Sequence, residues 1–262
     1  MVEPVVLGRS EQARSVTWGV DLSTTPANTA AVAIEWSPGS ARVTRMVTPL
    51  AAPELVDLIR AHPTDHWGID VPFGWPGQFA QFVAAHQQGP TRPTYAEGSW
   101  ASPLRLRRTD RELMAGEPAR RVNPLSVAHD RLGAVAVLWA FVENALASSD
   151  PPMVIDRSGV TGSVFETYPA GIRVQWGLPK RGSHDELGVL AARLDAVEID
   201  HTGLSAKGAS EHAWDALLCA LAARAHALGD RPKLSASQRT TAEAEGWIHL
   251  PQRALKSLVE NP

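Results

Sequence analysis

The sequence predicts an α/β protein built on a mixed β-sheet, and two observations carry that prediction. Three strand-like segments follow one another through short connections, and a helix-like segment then separates the third from a fourth. Hairpin connections make neighbouring strands antiparallel, whereas a helical crossover returns the next strand parallel to one already laid down. A third observation concerns chemistry. Carboxylates stand at the ends of the apolar strand cores, where open α/β sheets place their sites.

The elements follow in order. Residues 16–22 (VTWGVDL) are apolar and β-branched and read as a buried strand, as do residues 29–36 (TAAVAIEW). Residues 42–48 (RVTRMVT) alternate and read as a third, more exposed strand, after the turn Ser37-Pro38-Gly39-Ser40. Pro53 opens a helix, PELVDLIRAH, with Leu55, Leu58 and Ile59 at helical spacing. Residues 67–71 (WGIDV) form the fourth strand, expected beside the first and stopped by Pro72. A helix is expected over 78–87, then a long polar loop, GPTRPTYAEGSWASP, of the kind that is usually functional.

Residues 126–147 read as a long helix with Leu132, Val135, Leu138 and Val142 on one side. Short strands are expected at 153–156 and 164–168, and Pro169 in the first turn of a helix. Amphipathic helices follow over 184–197 and 209–228, and residues 246–251 form a small strand or loop. The organisation is a lead-in over 1–15, a single domain over 16–251 with an insertion at about 72–124, and a tail over 252–262.

Composition narrows the function classes. A chain of 262 residues, 44% hydrophobic, can build a core without disulfides, and its one cysteine, Cys219, has no partner within the chain. A cytoplasmic setting fits. No apolar stretch is long enough to cross a bilayer, and the N-terminus lacks the basic-then-apolar order of a signal peptide. No membrane partner is expected. The net charge of −3 counts against indiscriminate nucleic-acid binding, which draws its affinity from neutralising phosphates. That balance leaves room for a local basic patch.

The carboxylates are the candidate site. Asp21 (WGVDLS), Asp70 (WGIDVP) and Glu166 (VFETYP) sit at or near the ends of apolar strands, and Asp215 lies in the helix SEHAWDALLCALAA. Each alone has a structural explanation: a turn cap for Asp21, a similar role before proline for Asp70, an arginine partner for Glu166. Asp215 on an apolar helix face is harder to explain that way, because unpaired Asp is rarely buried. If the first and fourth strands are parallel neighbours, Asp21 and Asp70 emerge side by side. Their repulsion is then relieved by a divalent cation.

The fragments GVDLS, GIDVPFGWP, RRTDRELM, FETYPAG, HAWDALLCALAA and EGWIHLP occur in the order seen in domain-of-unknown-function family 429, which the chain resembles from about residue 16 to 251. The resemblance implies a ribonuclease H-like α/β fold and a nuclease-type activity. It places the family's acidic residues on Asp21, Asp70, Glu166 and Asp215, as catalytic groups and metal ligands alike. Where relatives often carry a cysteine after the arginine-aspartate motif, this chain has Thr109, which excludes a thiol role there.

The leading expectation is a metal-dependent phosphodiester hydrolase acting on nucleic acid or a nucleotide. Two Mg²⁺ or Mn²⁺ ions, roughly 4 Å apart, would be bridged by Asp21, and all-oxygen ligands favour these ions. Arg105, Arg108 and Asp110 in LRLRRTDRELM are the candidate substrate-binding residues, with Trp75, Tyr95 and Trp100 nearby as possible stacking partners. His212 and His249 are close in sequence to the candidate acids but are not taken as bases. One alternative is a nucleotide-dependent phosphoryl transferase of the actin and sugar-kinase class, which also carries an aspartate on its first strand. Against it, the only later glycine-containing loop is Gly159-Val160-Thr161-Gly162. The other alternative is a non-catalytic scaffold of the same fold.

Overall fold

The computed structural model describes residues 15–89, 101–179 and 211–259. Strand β1 (Ser15–Asp21) is followed by β2 (Ala30–Ser37), β3 (Ser40–Val47), helix α1 (Ala52–Ala61) and β4 (His66–Asp70). Helices α2 (Gly77–His86), α3 (Ala101–Arg105), α4 (Arg108–Ala115) and α5 (Leu132–Ala147) precede β5 (Val164–Glu166) and α6 (Pro169–Trp176). The last two helices described, α7 and α8, span Glu211–Ala227 and Ala236–Glu245.

The sheet has five strands in the order β3-β2-β1-β4-β5. β1 pairs antiparallel with β2, and β2 with β3; β1 pairs parallel with β4, and β4 with β5. The mixed sheet expected from the short early connections and the helical crossover is therefore present, with the fourth strand beside the first. The arrangement is consistent with a ribonuclease H-like sheet.

Side chains alternate across a strand, so each face has its own core. On one face Ala30, Val32, Ile34 and Trp36 of β2 and Phe165 of β5 pack against α7. Thr17, Gly19 and Asp21 of β1 are register partners of Ile34, Val32 and Ala30 and share that face. α7 lies close to the strands: a Cβ on Gly19 would overlap the Ala216 carbonyl and the Ala220 amide, and one on Gly68 would meet the Cys219 carbonyl at 2.5 Å. Thr17 Oγ1 donates to the Ala220 carbonyl at 3.0 Å and accepts from Trp36 Nε1 at 2.8 Å, which satisfies a buried hydroxyl.

On the opposite face Trp18, Val20, Trp67 and Ile69 pack against Leu55, Leu58 and Ile59 of α1 and Val135, Trp139, Val142 and Leu146 of α5. The apolar spacing that predicts α1 is the spacing that buries it. Ile59 is fully buried here, and truncation to alanine at such a position costs about 2–5 kcal/mol.

Several boundaries differ from the sequence reading, for local reasons. The long helix begins at Leu132 rather than at residue 126. Ser126 Oγ accepts from the Ala128 and His129 amides, and Asp130 Oδ2 accepts from the Ser126 amide at 2.7 Å. These side chains offer the backbone a turn in place of helix bonds. No strand forms at 153–156. Pro151 and Pro152 offer no amide hydrogens, and Asp156 instead gathers the amides of Ser158 and Thr161 into a loop. The helix expected over 184–197 lies outside the described residues. Residues 255–259 fold as a 3₁₀ turn that buries Leu255 and Leu258. No described helix is long and apolar enough to cross a membrane.

Candidate functional site

Asp21 and Asp70 are the last residues of β1 and β4, and they are register partners across the parallel pair. The sequence rule that puts chemistry at the carboxyl ends of parallel strands thus brings these two carboxylates to adjacent positions. Asp215 approaches from the first half of α7 and is 6% exposed. Arg173 of α6 holds it, Nη2 donating to Oδ1 at 2.8 Å. His212, one turn earlier on α7, places Nδ1 2.7 Å from Asp21 Oδ2.

These acids line one cavity of about 600 Å³, which Glu166 also reaches. Its walls are largely apolar: Val71, Leu132, Val135 and Val174, with Leu125 at the rim, 53% exposed. The site is electronegative. Burial pushes the Cys219 thiol well above its ordinary value, and Asp70, Asp21 and Asp215 push it further. The Tyr168 phenol at the cavity wall is raised by burial and then by Asp70, Asp110 and Asp215.

Glu166 is differently employed. Arg107 Nη2 and Nη1 donate to its two oxygens at 2.7 and 2.8 Å, and the Phe73 amide donates to Oε2 at 2.9 Å. Arg107 also donates from Nε and Nη2 to Asp110, and from Nη1 to the Glu245 carbonyl. All five guanidinium hydrogens are used. Arg107, Asp110 and Glu166 are each no more than 2% exposed. Burial pushes the Glu166 carboxyl up and Arg107 pulls it back. Burial also works against the charge on Arg107, but Glu166 and Asp110 outweigh it and raise its pKa, so the group stands as an ion pair. Gly246 closes over it with φ +80°; a Cβ there would meet Glu166 Oε2 at 2.6 Å.

The other residues singled out in the arginine-rich segment fall elsewhere. Arg107, rather than Arg105, Arg108 or Asp110, is among the residues lining the cavity. Arg105 is exposed, and Arg108 pairs with Glu112 at 3.0 Å. Asp110 is fully buried beneath Arg107. Residues 105–111 do not form one helix, because α3 ends at Arg105 and α4 begins at Arg108. In one continuous helix Arg105 and Arg108 would share a face; the break between α3 and α4 separates them and Arg107 turns inward. Trp75 is half-buried and is not among the lining residues; Tyr95 and Trp100 lie outside the described residues.

A comparison with protein families matches residues 19–239 to the family described as Protein of unknown function (DUF429). The chain belongs to the DUF429 family. Neither the curated proteins nor the solved structures yield a match. In this DUF429 protein the matched span takes in Asp21, Asp70, Arg107, Glu166, Arg173 and Asp215, and stops before EGWIHLP. That last fragment supplies Gly246 over Glu166, and His249, whose backbone bridges Thr167. It also supplies Glu245, whose carboxylate accepts the Gly77 and Arg108 amides at 2.7 Å each, capping α2 and α4 together.

Arg173 is the site residue that the sequence reading misses. His212 is weighed there and set aside as a base, and Arg107 stands in the arginine-rich segment from which Arg105 and Arg108 are chosen instead. For Arg173 a signal existed: an arginine among Ile172, Val174 and Trp176 on a helix needs a counter-charge. His212 stands one helical turn before Asp215, which places it near the site, but its contact with Asp21, 191 residues away, comes from the fold. Among the described residues, no three His, Cys, Asp or Glu side chains stand close enough to hold an ion as they are. The Asp21–Asp70 pair nevertheless fits a Mg²⁺-type cation, which keeps several waters and takes only one or two protein carboxylates together with substrate phosphate oxygens.

Proposed function

We propose that this protein is a metal-dependent phosphodiester hydrolase, a nuclease acting on nucleic acid or a nucleotide. The observation that carries the reading is the in-register pair Asp21 and Asp70 at the carboxyl end of β1 and β4, with Asp215 on the same cavity. Carboxylates this close to one another repel, and a divalent cation removes the penalty. When bound, Mg²⁺ or Mn²⁺ would supply Lewis acidity at a phosphoryl oxygen. The chain itself would supply the ligands Asp21 and Asp70. Arg173 would hold Asp215 in place, and His212 would orient Asp21. The apolar walls suit the base or sugar of a nucleotide better than they suit phosphates.

The test is cleavage of end-labelled single- and double-stranded DNA and RNA, with Mg²⁺, Mn²⁺ or chelator. Cleavage that requires metal and vanishes in Asp70→Asn, with the fold intact by circular dichroism, supports the reading. Metal-independent cleavage, or cleavage undiminished in Asp70→Asn, overturns it. A protein that cleaves nothing and binds no metal is the scaffold of the alternative reading.

A further inference from the structure

The sequence alone suggests two ions shared by four acids. Resting on the metal-dependent reading above, we infer that the site holds one divalent cation, on the α7 side of the sheet, and that Glu166 is not a ligand but the fixed counter-charge of Arg107.

The first argument is strand register. Parallel partners present their side chains to the same face. Asp21 pairs with Asp70, and both belong to the face that carries α7, as Gly19 and Gly68 beneath that helix do. Glu166 pairs with Ile69, not with Asp70. Ile69 is buried in the opposite core, with Trp67, Val135 and Trp139. The neighbour of Glu166 that points to the α7 side, Phe165, lies in the α7 core. Glu166 thus reaches the cavity from the α5 side of the sheet, one step out of phase with the aspartates.

The second argument is saturation. A cation at Glu166 would have to take over oxygens that already accept three hydrogen bonds, two of them from a guanidinium. Displacing Arg107 would leave a cation that is 2% exposed beside Asp110 alone. Removing one partner of a buried pair is far costlier than never having made it. Gly246 and the Glu245 carbonyl close the remaining side of the pair. Arg107 is equally unavailable to substrate phosphate, since none of its five hydrogens is left over. The triad is therefore a fixed wall of the cavity, and Glu166 positions rather than ligates.

The experiment counts Mn²⁺ bound to the full chain by electron paramagnetic resonance and calorimetry. The expected result is one Mn²⁺ per chain, with affinity falling roughly 10-fold or more in Asp70→Asn and changing less than about 3-fold in Glu166→Gln. Two tight ions per wild-type chain overturn the inference and leave the metal-dependent reading standing. A folded Glu166→Gln that loses as much affinity as Asp70→Asn does the same. No Mn²⁺ at all overturns both. The wild-type count does not depend on whether Glu166→Gln folds.

Discussion

The two ends of strand β4 handle ionisable groups in opposite ways. At the carboxyl end Asp70 stands beside Asp21 on a cavity of about 600 Å³. At the amino end His66 packs against His226, their Nδ1 atoms 3.1 Å apart. His226 Nε2 lies 2.8 Å from the Gly159 carbonyl and must donate to it, so its Nδ1 accepts and His66 Nδ1 donates. Phe165 stacks on His226 with ring centres 4.2 Å apart, and His249 meets it edge-on at 5.6 Å. This arrangement requires both rings of the bonded pair to be neutral. Burial, with Arg231 adding to it, pulls His66 down to about 4. Burial, against the Gly159 bond, pulls His226 down to about 3. Burial, against Asp230, pulls His249 down to about 4. One end of the strand gathers charge that a ligand could answer; the other excludes charge. Histidine clusters invite assignment as metal centres, and here the cluster is packing.

The largest expected effect comes from breaking the charge balance at the acidic end. Arg107→Met strands Glu166 and Asp110, both buried, and is expected to cost about 3–5 kcal/mol in urea unfolding. A loss under about 1 kcal/mol would show that the triad is not the wall described.

Acidification attacks the other end. A histidine whose folded pKa lies below its unfolded value of 6.5 adds a penalty that is absent well above pH 6.5 and grows as pH falls toward the folded value. Between pH 7 and pH 5 each of His226 and His249 is expected to remove about 2 kcal/mol. His226→Gln should flatten that slope, measured by denaturation at a series of pH values. An unchanged slope contradicts the assignment.

Asp21→Asn tests the open end directly. Wild type should gain about 1.4 kcal/mol of stability at Mn²⁺ ten times its dissociation constant, and the variant much less. In chelator the variant should melt no lower than wild type, since charge repulsion is relieved. A variant that melts lower in chelator and responds fully to Mn²⁺ marks Asp21 as a structural partner of His212 rather than a metal ligand. The smallest effect is reserved for Arg108→Ala. Its partner Glu112 is 39% exposed, so the loss should stay within about 1 kcal/mol, with Mn²⁺ affinity unchanged in a titration. A large drop in that affinity would tie Arg108 to the site.

The sheet was legible because its signals are local: turn chemistry at 37–40, helical spacing in α1 and apolar runs in β1, β2 and β4. The meeting of Asp21 and Asp70 followed from topology alone, whereas Asp215 was placed with them by the family resemblance and by its position on an apolar helix face. What was not legible was phase. A strand of three residues such as β5 carries no alternation from which to tell that Glu166 faces away from Asp70. The break between α3 and α4 is marked locally by Asp110, which accepts the Arg107 amide, but the Glu166 and Glu245 acceptors that turn Arg107 inward and hold the Arg108 amide lie in no window around residue 107.

Gly19 and Gly68 lie beneath α7 with no room for a methyl group. Main chain rests on main chain there, so the height of the helix above the strands is set by peptide units that every mutation leaves unchanged. Substitutions elsewhere in the core can loosen or tighten the protein while the offset between Asp215 and the two strand-end aspartates stays the same. Stability and site geometry can therefore drift separately over generations of sequence change, with Gly19 and Gly68 among the positions that tie them together.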